Sequence, residues 1–340
     1  MIPRLKVFAM TVLFLAFYCN LGVGQVPPLA ILQIDLENHV QYYQDISDAS
    51  KFATDPNITA AAIPRNFGTY LIVGDIVAVN GRPAKGTATS YQHTINLRPA
   101  PNPGNAIADT NRNSLTDIFN FEILNVDGTQ IGTIMALGLG GGDAAPGAPS
   151  VITQGNNAIV GGTGAYLGAR GFFGQAVTPQ TIPARRASML EDPANRRKNG
   201  GGRLRFVLQV IPLFRPEALV TDDGPAVYHA DSFNLVTPKD PARPGEVLTI
   251  FATGLGPTRP GIDPGELFPS NPPHVVNSPV EVTVSGFPVK LLSATGVPFT
   301  NDRYQITFEV PPGTAQGWAT VQITAAWIPG TPITVLVVPR

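Results

Sequence analysis

Four histidines and one cysteine are the side chains of this chain best suited to hold a metal ion or act as a nucleophile. The histidines, His39, His93, His229 and His274, are scattered without the short spacing that metal ligands usually share. The sequence also lacks a serine elbow, a cysteine nucleophile motif and a dinucleotide fingerprint. We therefore predict no metal site and no cofactor.

Two other stretches have compositions that can bind anions. The glycine-rich run LGGGD at 139–143 lacks the Lys-Ser/Thr pair of a phosphate-binding loop, so we interpret it as a flexible turn. The polar insertion Pro179–Gly202 carries five basic residues: Arg185, Arg186, Arg196, Arg197 and Lys198. Such a cluster could contact an acidic polymer, but an exposed, solvated loop is the expected structure.

The amino terminus has the pattern of a secretory signal peptide. Arg4 and Lys6 precede an apolar run from Val7 to Tyr18, which is too short to span a bilayer comfortably as a helix. Gly22 and Gly24 supply the small residues that a signal peptidase requires. We predict a signal peptide over 1–24, cleavage after Gly24 and a secreted mature chain.

Export removes the cysteine and alters the charge balance. Phe17 and Tyr18 precede Cys19 where a lipid-attachment site has small residues, so simple secretion is favoured over a lipid anchor. A mature chain without cysteine forms no disulfide and must be stabilised by apolar burial. Without Arg4 and Lys6, the 23 basic residues fall to 21 against 24 acidic ones, a net charge of −3. This balance argues against nucleic acid as a partner, and no second apolar stretch is long enough to cross a membrane.

Composition and alternation predict β-strands in the first part of the mature chain. The 35 glycines and 34 prolines, with many Val, Ile and Thr runs, favour short strands and turns over helices. Asn80-Gly81 and Asp127-Gly128 are suited to tight hairpins. The first strand is expected to run from Phe67 to the Asn80-Gly81 turn, and the next ones are 87–97, 117–126, 129–139 and 203–210. For 25–213 we therefore predict an antiparallel barrel or sandwich.

A second β-domain is predicted for 214–340, because 340 residues exceed the usual size of a single core. Pro212–Gly224 has the composition of a linker. The expected strands after it are 247–253, 280–285, 304–310, 319–324 and 333–338. Short strands separated by Pro and Gly turns favour a β-sandwich of immunoglobulin-like size.

Four ordered motifs between Phe67 and Ile211 carry a family resemblance. They are FGTYLIVGD at 67–75, GTATSY at 86–91, LTDIFNF at 115–121, and GGTG at 161–164 followed by Ala169-Arg170-Gly171. The segment resembles dirigent proteins and the related allene oxide cyclase barrel. The resemblance implies an eight-stranded antiparallel β-barrel with an apolar cavity open at one end, which would hold an apolar or aromatic small molecule without a cofactor.

The same resemblance implies candidate site residues. Asp75 and Arg170 match an acidic and a basic position of the family motifs, where they would accept a proton and neutralise an oxyanion. Tyr91 and Tyr166 would stack on an aromatic ligand. Structural roles are the alternative: Arg170 would pin a glycine turn by bonding backbone carbonyls, and Asp75 would be a solvated residue at a strand end.

Two positions depart from the family pattern. Ala165 replaces an acidic residue that often follows GGTG, and Thr87 replaces an arginine in the small-residue strand. A barrel that keeps the fold for another ligand is therefore an equal alternative to radical-coupling chemistry.

The carboxy-terminal part has a resemblance of its own. PARPGEVLTIFATGLGPTRPG at 241–261 and VPPG at 310–313 resemble an immunoglobulin-like domain found at the ends of secreted bacterial proteins. The resemblance implies a spacer, a docking module or an adhesion surface for a cell-surface or matrix component. Trp318 and Trp327 are candidate contact residues, with core packing as the alternative for at least one of them.

Two functions follow from these observations. The first is a secreted bacterial protein that binds a small molecule or a partner through its barrel without catalysis. The second is a dirigent-like or cyclase-like protein that guides a phenoxy-radical coupling or a cyclisation. The binding function is favoured, because a fold alone does not determine an activity.

Overall fold

The computed structural model of the chain describes four stretches of residues: 29–44, 67–95, 113–144 and 147–339. The predicted signal segment lies outside them, so cleavage after Gly24 and secretion stay predictions. Within these stretches, no helix has the length and apolar character needed to span a membrane. They form an all-β structure, with one single-turn helix, α1 (Arg196–Asn199), that follows a 3-10 turn at Pro193–Asn195.

Ten strands form the first sheet, and eight of them close into an antiparallel barrel. The ten are β1 (Ala30–Tyr43), β2 (Phe67–Val79), β3 (Arg82–Pro83), β4 (Lys85–Ile95), β5 (Asn113–Leu124), β6 (Gln130–Asp143), β7 (Gln154–Gly164), β8 (Arg170–Ala176), β9 (Arg185–Ser188) and β10 (Gly202–Ile211). The barrel order is β2-β4-β5-β6-β7-β8-β10-β1, and pairing of β1 with β2 closes it. The short strands β3 and β9 pair with β2 and β1. The predicted eight-stranded antiparallel barrel is confirmed.

Local sequence explains the barrel's hairpins. Asn80 and Gly81 both have positive φ, 50° and 74°, as a tight primed turn requires. In the glycine-rich β7 strand, a Cβ on Gly162 would lie 2.2 Å from the carbonyl oxygen of Tyr166, so only glycine fits there. The predicted turns and the predicted close backbone packing are both present.

The centre of the barrel is filled with phenylalanine. Phe119, Phe121, Phe173 and Phe206 are buried and contact one another at ring-centroid distances between 4.6 and 5.7 Å. Inward-facing Leu and Ile residues of β1, β6 and β10 surround them. Because this layer is packed, open space remains only toward an end of the barrel.

The chain then forms further antiparallel sheets. A seven-stranded sheet contains β11 (Glu217–Ala218), β14 (Val227–His229), β15 (Val247–Thr253), β16 (Thr258–Arg259), β17 (Val275–Val276), β20 (Leu291–Gly296) and β21 (Tyr304–Glu309). A five-stranded sheet contains β18 (Val280–Val284), β19 (Phe287–Pro288), β22 (Gly317–Ala325), β23 (Ile328–Pro329) and β24 (Ile333–Val337). A two-stranded ribbon pairs β12 (Val220–Thr221) with β13 (Gly224–Pro225). Residues of both larger sheets share one hydrophobic core. All five strands predicted for this part are present, and their ends lie within one or two residues of the predicted ones.

The turn between β22 and β23 joins this part to the barrel. Ala326 and Trp327 both have positive φ, 49° and 60°, and pack into the same hydrophobic cluster as the barrel core. The buried hydroxyl of Tyr166 donates to the Ala326 carbonyl over 3.4 Å. Two ion pairs bridge the same contact: Arg82–Glu281 (2.6 Å) and Arg259–Asp127 (3.3 Å). Trp327 therefore has a core-packing role, whereas Trp318 is 64% exposed.

Candidate functional site

A cavity of about 300 Å³ lies at one end of the barrel, where β1 ends and β2 begins. We call it the mouth cavity. It lies opposite the hairpin end, which carries the Asn80-Gly81 turn and contacts the C-terminal sheets. Its volume is at the lower limit for small-molecule sites. Phe119, Phe173 and Phe206 form its floor, and its walls come from the last inward-facing residues of the barrel strands.

One wall of the mouth cavity is aromatic. Tyr43 on β1 and Tyr70 on β2 are register partners, and their rings stack at a centroid distance of 5.0 Å. Gln41 and Arg186 are partners in the parallel pairing of β1 with β9, which places both side chains on the inner face. The Arg186 guanidinium carbon lies 5.9 Å from the Tyr43 ring centroid, a cation–π distance.

The remaining walls are rich in carboxamides. Gln92 is fixed on both sides: the Tyr70 hydroxyl donates to its Oε1, and its Nε2 donates to Ser90 Oγ over 2.9 Å. Gln154, Asn157 and Gln175 come from β7 and β8, on the side of the barrel away from the tyrosines. A carboxamide both donates and accepts hydrogen bonds, so these walls suit a ligand with both kinds of group.

Two buried residues of the mouth cavity carry polar atoms that have no hydrogen-bond partner among the residues that the structure describes. Both ring nitrogens of His39 and the Oδ1 atom of Asn157 are in this state. The two side chains are only 2% and 3% exposed. Burial, reinforced by the nearby charge of Arg196, lowers the pKa of His39 to about 4, so the imidazole is neutral at physiological pH.

Next to His39, Asp75 is the centre of a partly buried ion-pair cluster. Its carboxylate accepts hydrogen bonds from Arg196 Nη2 (2.7 Å), Arg197 Nε (3.0 Å) and Asn38 Nδ2 (2.9 Å). Burial raises the pKa of Asp75, but the hydrogen bonds from these three residues outweigh that effect and hold the pKa below its usual value. Asp75 therefore stays ionised and ties the α1 segment to the barrel.

The insertion Pro179–Gly202 is not the exposed loop that the sequence predicted. Strand β9 pairs with β1 in parallel, and Arg185 is buried. Arg185 contacts the Glu191 carboxylate through both Nη atoms (2.8 and 2.6 Å), and its Nε donates to the Gly200 carbonyl over 2.7 Å. The prediction was wrong because these arginines find partners within the fold, so part of the insertion forms barrel wall instead of solvated chain.

The four site residues predicted from the resemblance lie apart, and none of them lines the mouth cavity. Arg170 is exposed, and its Nη1 donates to the Ala169 carbonyl over 2.9 Å, the kind of contact that the structural alternative expected. Tyr91 lies on the outer face, edge-on to His93 at 5.4 Å. Tyr166 is buried at the hairpin end, where burial raises the pKa of its hydroxyl.

The resemblance also implied an apolar cavity, whereas the cavity in the structure has polar walls above an aromatic floor. The residues of these walls were missed, although the sequence carries a signal for them. Along β8 and β7, inward-facing Phe173 is followed by Gln175 and inward-facing Ile159 is preceded by Asn157. The inner face thus changes from apolar to polar toward the same end of several strands.

Within the described stretches, no group of three or more His, Cys, Asp and Glu side chains is placed to hold a metal ion. Comparison with known proteins finds no matching family model, no similar curated protein and no similar solved structure. The function must therefore be argued from the site itself.

Proposed function

We propose that this chain is a secreted binding protein whose mouth cavity holds a polar small molecule. The observation that carries the proposal is a set of three buried polar atoms without hydrogen-bond partners, the two ring nitrogens of His39 and Oδ1 of Asn157, in residues that line one cavity. A buried polar group without a partner costs about 1–3 kcal/mol. A bound molecule whose donor and acceptor groups reach these atoms would recover that free energy.

Binding is favoured over catalysis by the chemistry of the walls. No described residue that lines the mouth cavity has a carboxylate, a thiol or a primary amine. His39 is the one imidazole in it, and a pKa of about 4 makes it a weak base at neutral pH. The described part of the lining can therefore position and hydrogen-bond a molecule, but none of its side chains is an effective proton acceptor.

For the C-terminal sheets we propose an immunoglobulin-like docking module that contacts a cell-surface or matrix component. The motif resemblance and the common core of the two larger sheets support this role. Trp318 on β22 is the leading contact residue, since a large aromatic side chain that is 64% exposed is typical of a binding surface.

A second candidate function is a dirigent-like or cyclase-like one. The stacked tyrosines beside a cavity in an eight-stranded barrel are the observation that favours it. Its test is to supply the mature protein with phenoxy radicals generated by a separate oxidase and to measure the enantiomeric ratio of the coupled products. An excess of one enantiomer would support guidance, and a racemic product would reject it.

The binding function is tested by a thermal-shift screen of small polar molecules against the mature chain and two variants. Gln154→Trp places a large ring in the mouth cavity, and Gln316→Trp places the same ring on an exposed loop of the C-terminal part. We expect hits to raise the Tm of the wild type and of Gln316→Trp but not of Gln154→Trp. The proposal fails if no molecule stabilises the chain, or if hits stabilise all three proteins equally.

A further inference from the structure

We infer that the chain has a second ligand site in the cleft between the hairpin end of the barrel and the C-terminal sheets, and that this site takes an uncharged, apolar molecule with a carbonyl oxygen. We name it the interface cleft. The site is independent of the proposed function, because it lies at the other end of the barrel from the mouth cavity and shares no lining residue with it.

The interface cleft has the size and the position of a ligand site. Its volume is about 660 Å³, which is within the range of small-molecule sites, and such sites often lie between domains. The barrel contributes 82–83 and 125–127 to the lining, and the C-terminal part contributes the rest. All these residues lie well inside the described stretches 67–95, 113–144 and 147–339, so their neighbours along the chain are described as well.

Two hydrogen bonds fix the walls of the interface cleft relative to each other. Asn125 Nδ2 donates to the Asn277 carbonyl over 2.7 Å, and Asn277 Nδ2 donates to the Gln130 carbonyl over 2.5 Å. Both bonds join the barrel to the C-terminal part. The cleft is therefore preformed, which spares a ligand the free-energy cost of assembling the site.

The charges of the interface cleft favour an uncharged ligand. Four of its described lining residues carry a formal charge, two of each sign, and each is paired with another across the interface. The pairs are Arg82 with Glu281 (2.6 Å) and Arg259 with Asp127 (3.3 Å). A charged ligand would have to compete with one of these side chains for its partner, and no net charge of the lining remains to attract it.

Two buried polar groups of the lining require a hydrogen-bond partner. Ser278 Oγ and Trp327 Nε1 have none in the described part of the chain, and the two residues are only 5% and 8% exposed. An indole N–H only donates, whereas a hydroxyl donates and accepts. A ligand carbonyl that reaches these atoms can accept from one or from both, since its oxygen has two lone pairs. Because both atoms are buried, such a ligand must sit deep in the cleft.

Six apolar side chains supply surface that a ligand can cover. They are Pro83, Val126, Val275, Val276, Pro279 and Trp327. Val126 and Val275 are 57% and 49% exposed, so a ligand that covers them removes apolar surface from water. An apolar body with one carbonyl group and no charge combines these requirements.

Three matched probes test the site by equilibrium dialysis against the mature chain. Benzophenone has a carbonyl between two rings, diphenylmethane has the rings without the carbonyl, and 4-benzoylbenzoate adds a carboxylate to benzophenone. We expect benzophenone to bind about tenfold more tightly than either of the others. Equal binding of diphenylmethane would overturn the need for an acceptor, and equal or tighter binding of 4-benzoylbenzoate would overturn the charge argument. If none of them binds, the ligand class is rejected.

Three tryptophan variants locate the bound probe. Val126→Trp places a large ring in the interface cleft and should weaken benzophenone binding about tenfold or more. Val220→Trp places the same ring on an exposed ribbon of the C-terminal part, and Gln154→Trp places it in the mouth cavity. Neither should change the affinity. If Gln154→Trp weakens binding and Val126→Trp does not, the probe binds in the mouth cavity and the second site is rejected.

A serine variant tests the hydrogen bond itself. Ser278→Ala removes one donor and should weaken benzophenone binding about fivefold while leaving diphenylmethane binding unchanged. Ser293→Ala, which changes an exposed residue outside the cleft, should alter neither affinity. If Ser278→Ala binds benzophenone as the wild type does, or weakens both probes equally, the assignment of the carbonyl to this serine is wrong.

Discussion

His39 in the barrel and His229 in the C-terminal sheets are both almost fully buried, at 2% and 4% exposure, yet their surroundings differ completely. His229 has an oxygen partner at each ring nitrogen, Glu246 Oε1 at 2.5 Å and the Asp240 carbonyl at 3.2 Å. His39 has none among the described residues. The C-terminal sheets thus satisfy the hydrogen bonds of their buried histidine internally, while the barrel leaves those of its own buried histidine unsatisfied beside a cavity.

The largest expected effect comes from breaking the contact between the two regions. Trp327→Ala removes a ring that is almost fully buried in the cluster shared with the barrel and should lower the free energy of unfolding by about 3–5 kcal/mol. Urea denaturation measures this loss. Trp318→Ala is the matched control and should stay within about 0.5 kcal/mol of the wild type, because its ring is exposed. Equal losses in both variants would contradict the assigned packing role.

The second-largest expected effect tests whether Asp75 has a structural role or a functional one. Asp75→Asn leaves buried Arg196 without a counter-charge and should destabilise the protein by about 3 kcal/mol. Asp117→Asn, which disrupts only a half-exposed pair with His93, should cost less than about 1 kcal/mol. If Asp75→Asn folds with wild-type stability, the cluster does not hold the α1 segment.

The two histidines should give opposite pH dependences of stability. The pKa of His39 is about 4 in the folded state, against an ordinary histidine value of 6.5, so between these values only the unfolded chain binds the proton. The contribution of His39 to the free energy of unfolding is fully present above pH 6.5. It falls by up to about 3 kcal/mol as the pH drops to 4. His39→Leu should flatten that part of the profile.

For His229 the pH dependence of stability has the opposite sign. Burial lowers the pKa of His229. Its hydrogen bonds to Glu246 and to the Asp240 backbone, together with the charges of these two residues, outweigh burial and raise the pKa in the folded state. Its contribution is therefore complete below pH 6.5 and is lost as the pH rises through the folded pKa. His229→Gln should remove this loss. Urea unfolding of both single variants from pH 4 to 9 measures the two effects, and profiles with the same slope would refute the contrast.

The smallest expected effect is a gain in stability. Asn157→Leu replaces a buried amide whose Oδ1 atom has no partner with an apolar side chain of similar size and should raise the free energy of unfolding by about 1 kcal/mol. Ligand binding in the mouth cavity should be lost at the same time. Thermal denaturation and titration of one protein preparation give both values. A loss of stability would show that Asn157 serves the barrel itself.

More of the fold than of the candidate site could be predicted from the sequence. The alternation in LTDIFNF and the Asn80-Gly81 pair are local signals, so strands and hairpins could be predicted from neighbouring residues. The Asp75–Arg196 pair joins positions 121 residues apart, and no local pattern encodes it. Likewise, the mouth cavity takes side chains from most of the barrel strands, and it appears only when closure of the barrel brings those strand ends together.

The parallel pairing of β9 with β1 has an evolutionary consequence. Arg186 reaches the mouth cavity on a strand that is not one of the eight that close the barrel. Replacement of the Pro179–Gly202 insertion would therefore change one part of the cavity wall while the phenylalanine layer at the centre of the barrel stays intact. Descendants of one barrel could thus change the lining of this cavity by exchanging one segment, without first having to rebuild the core.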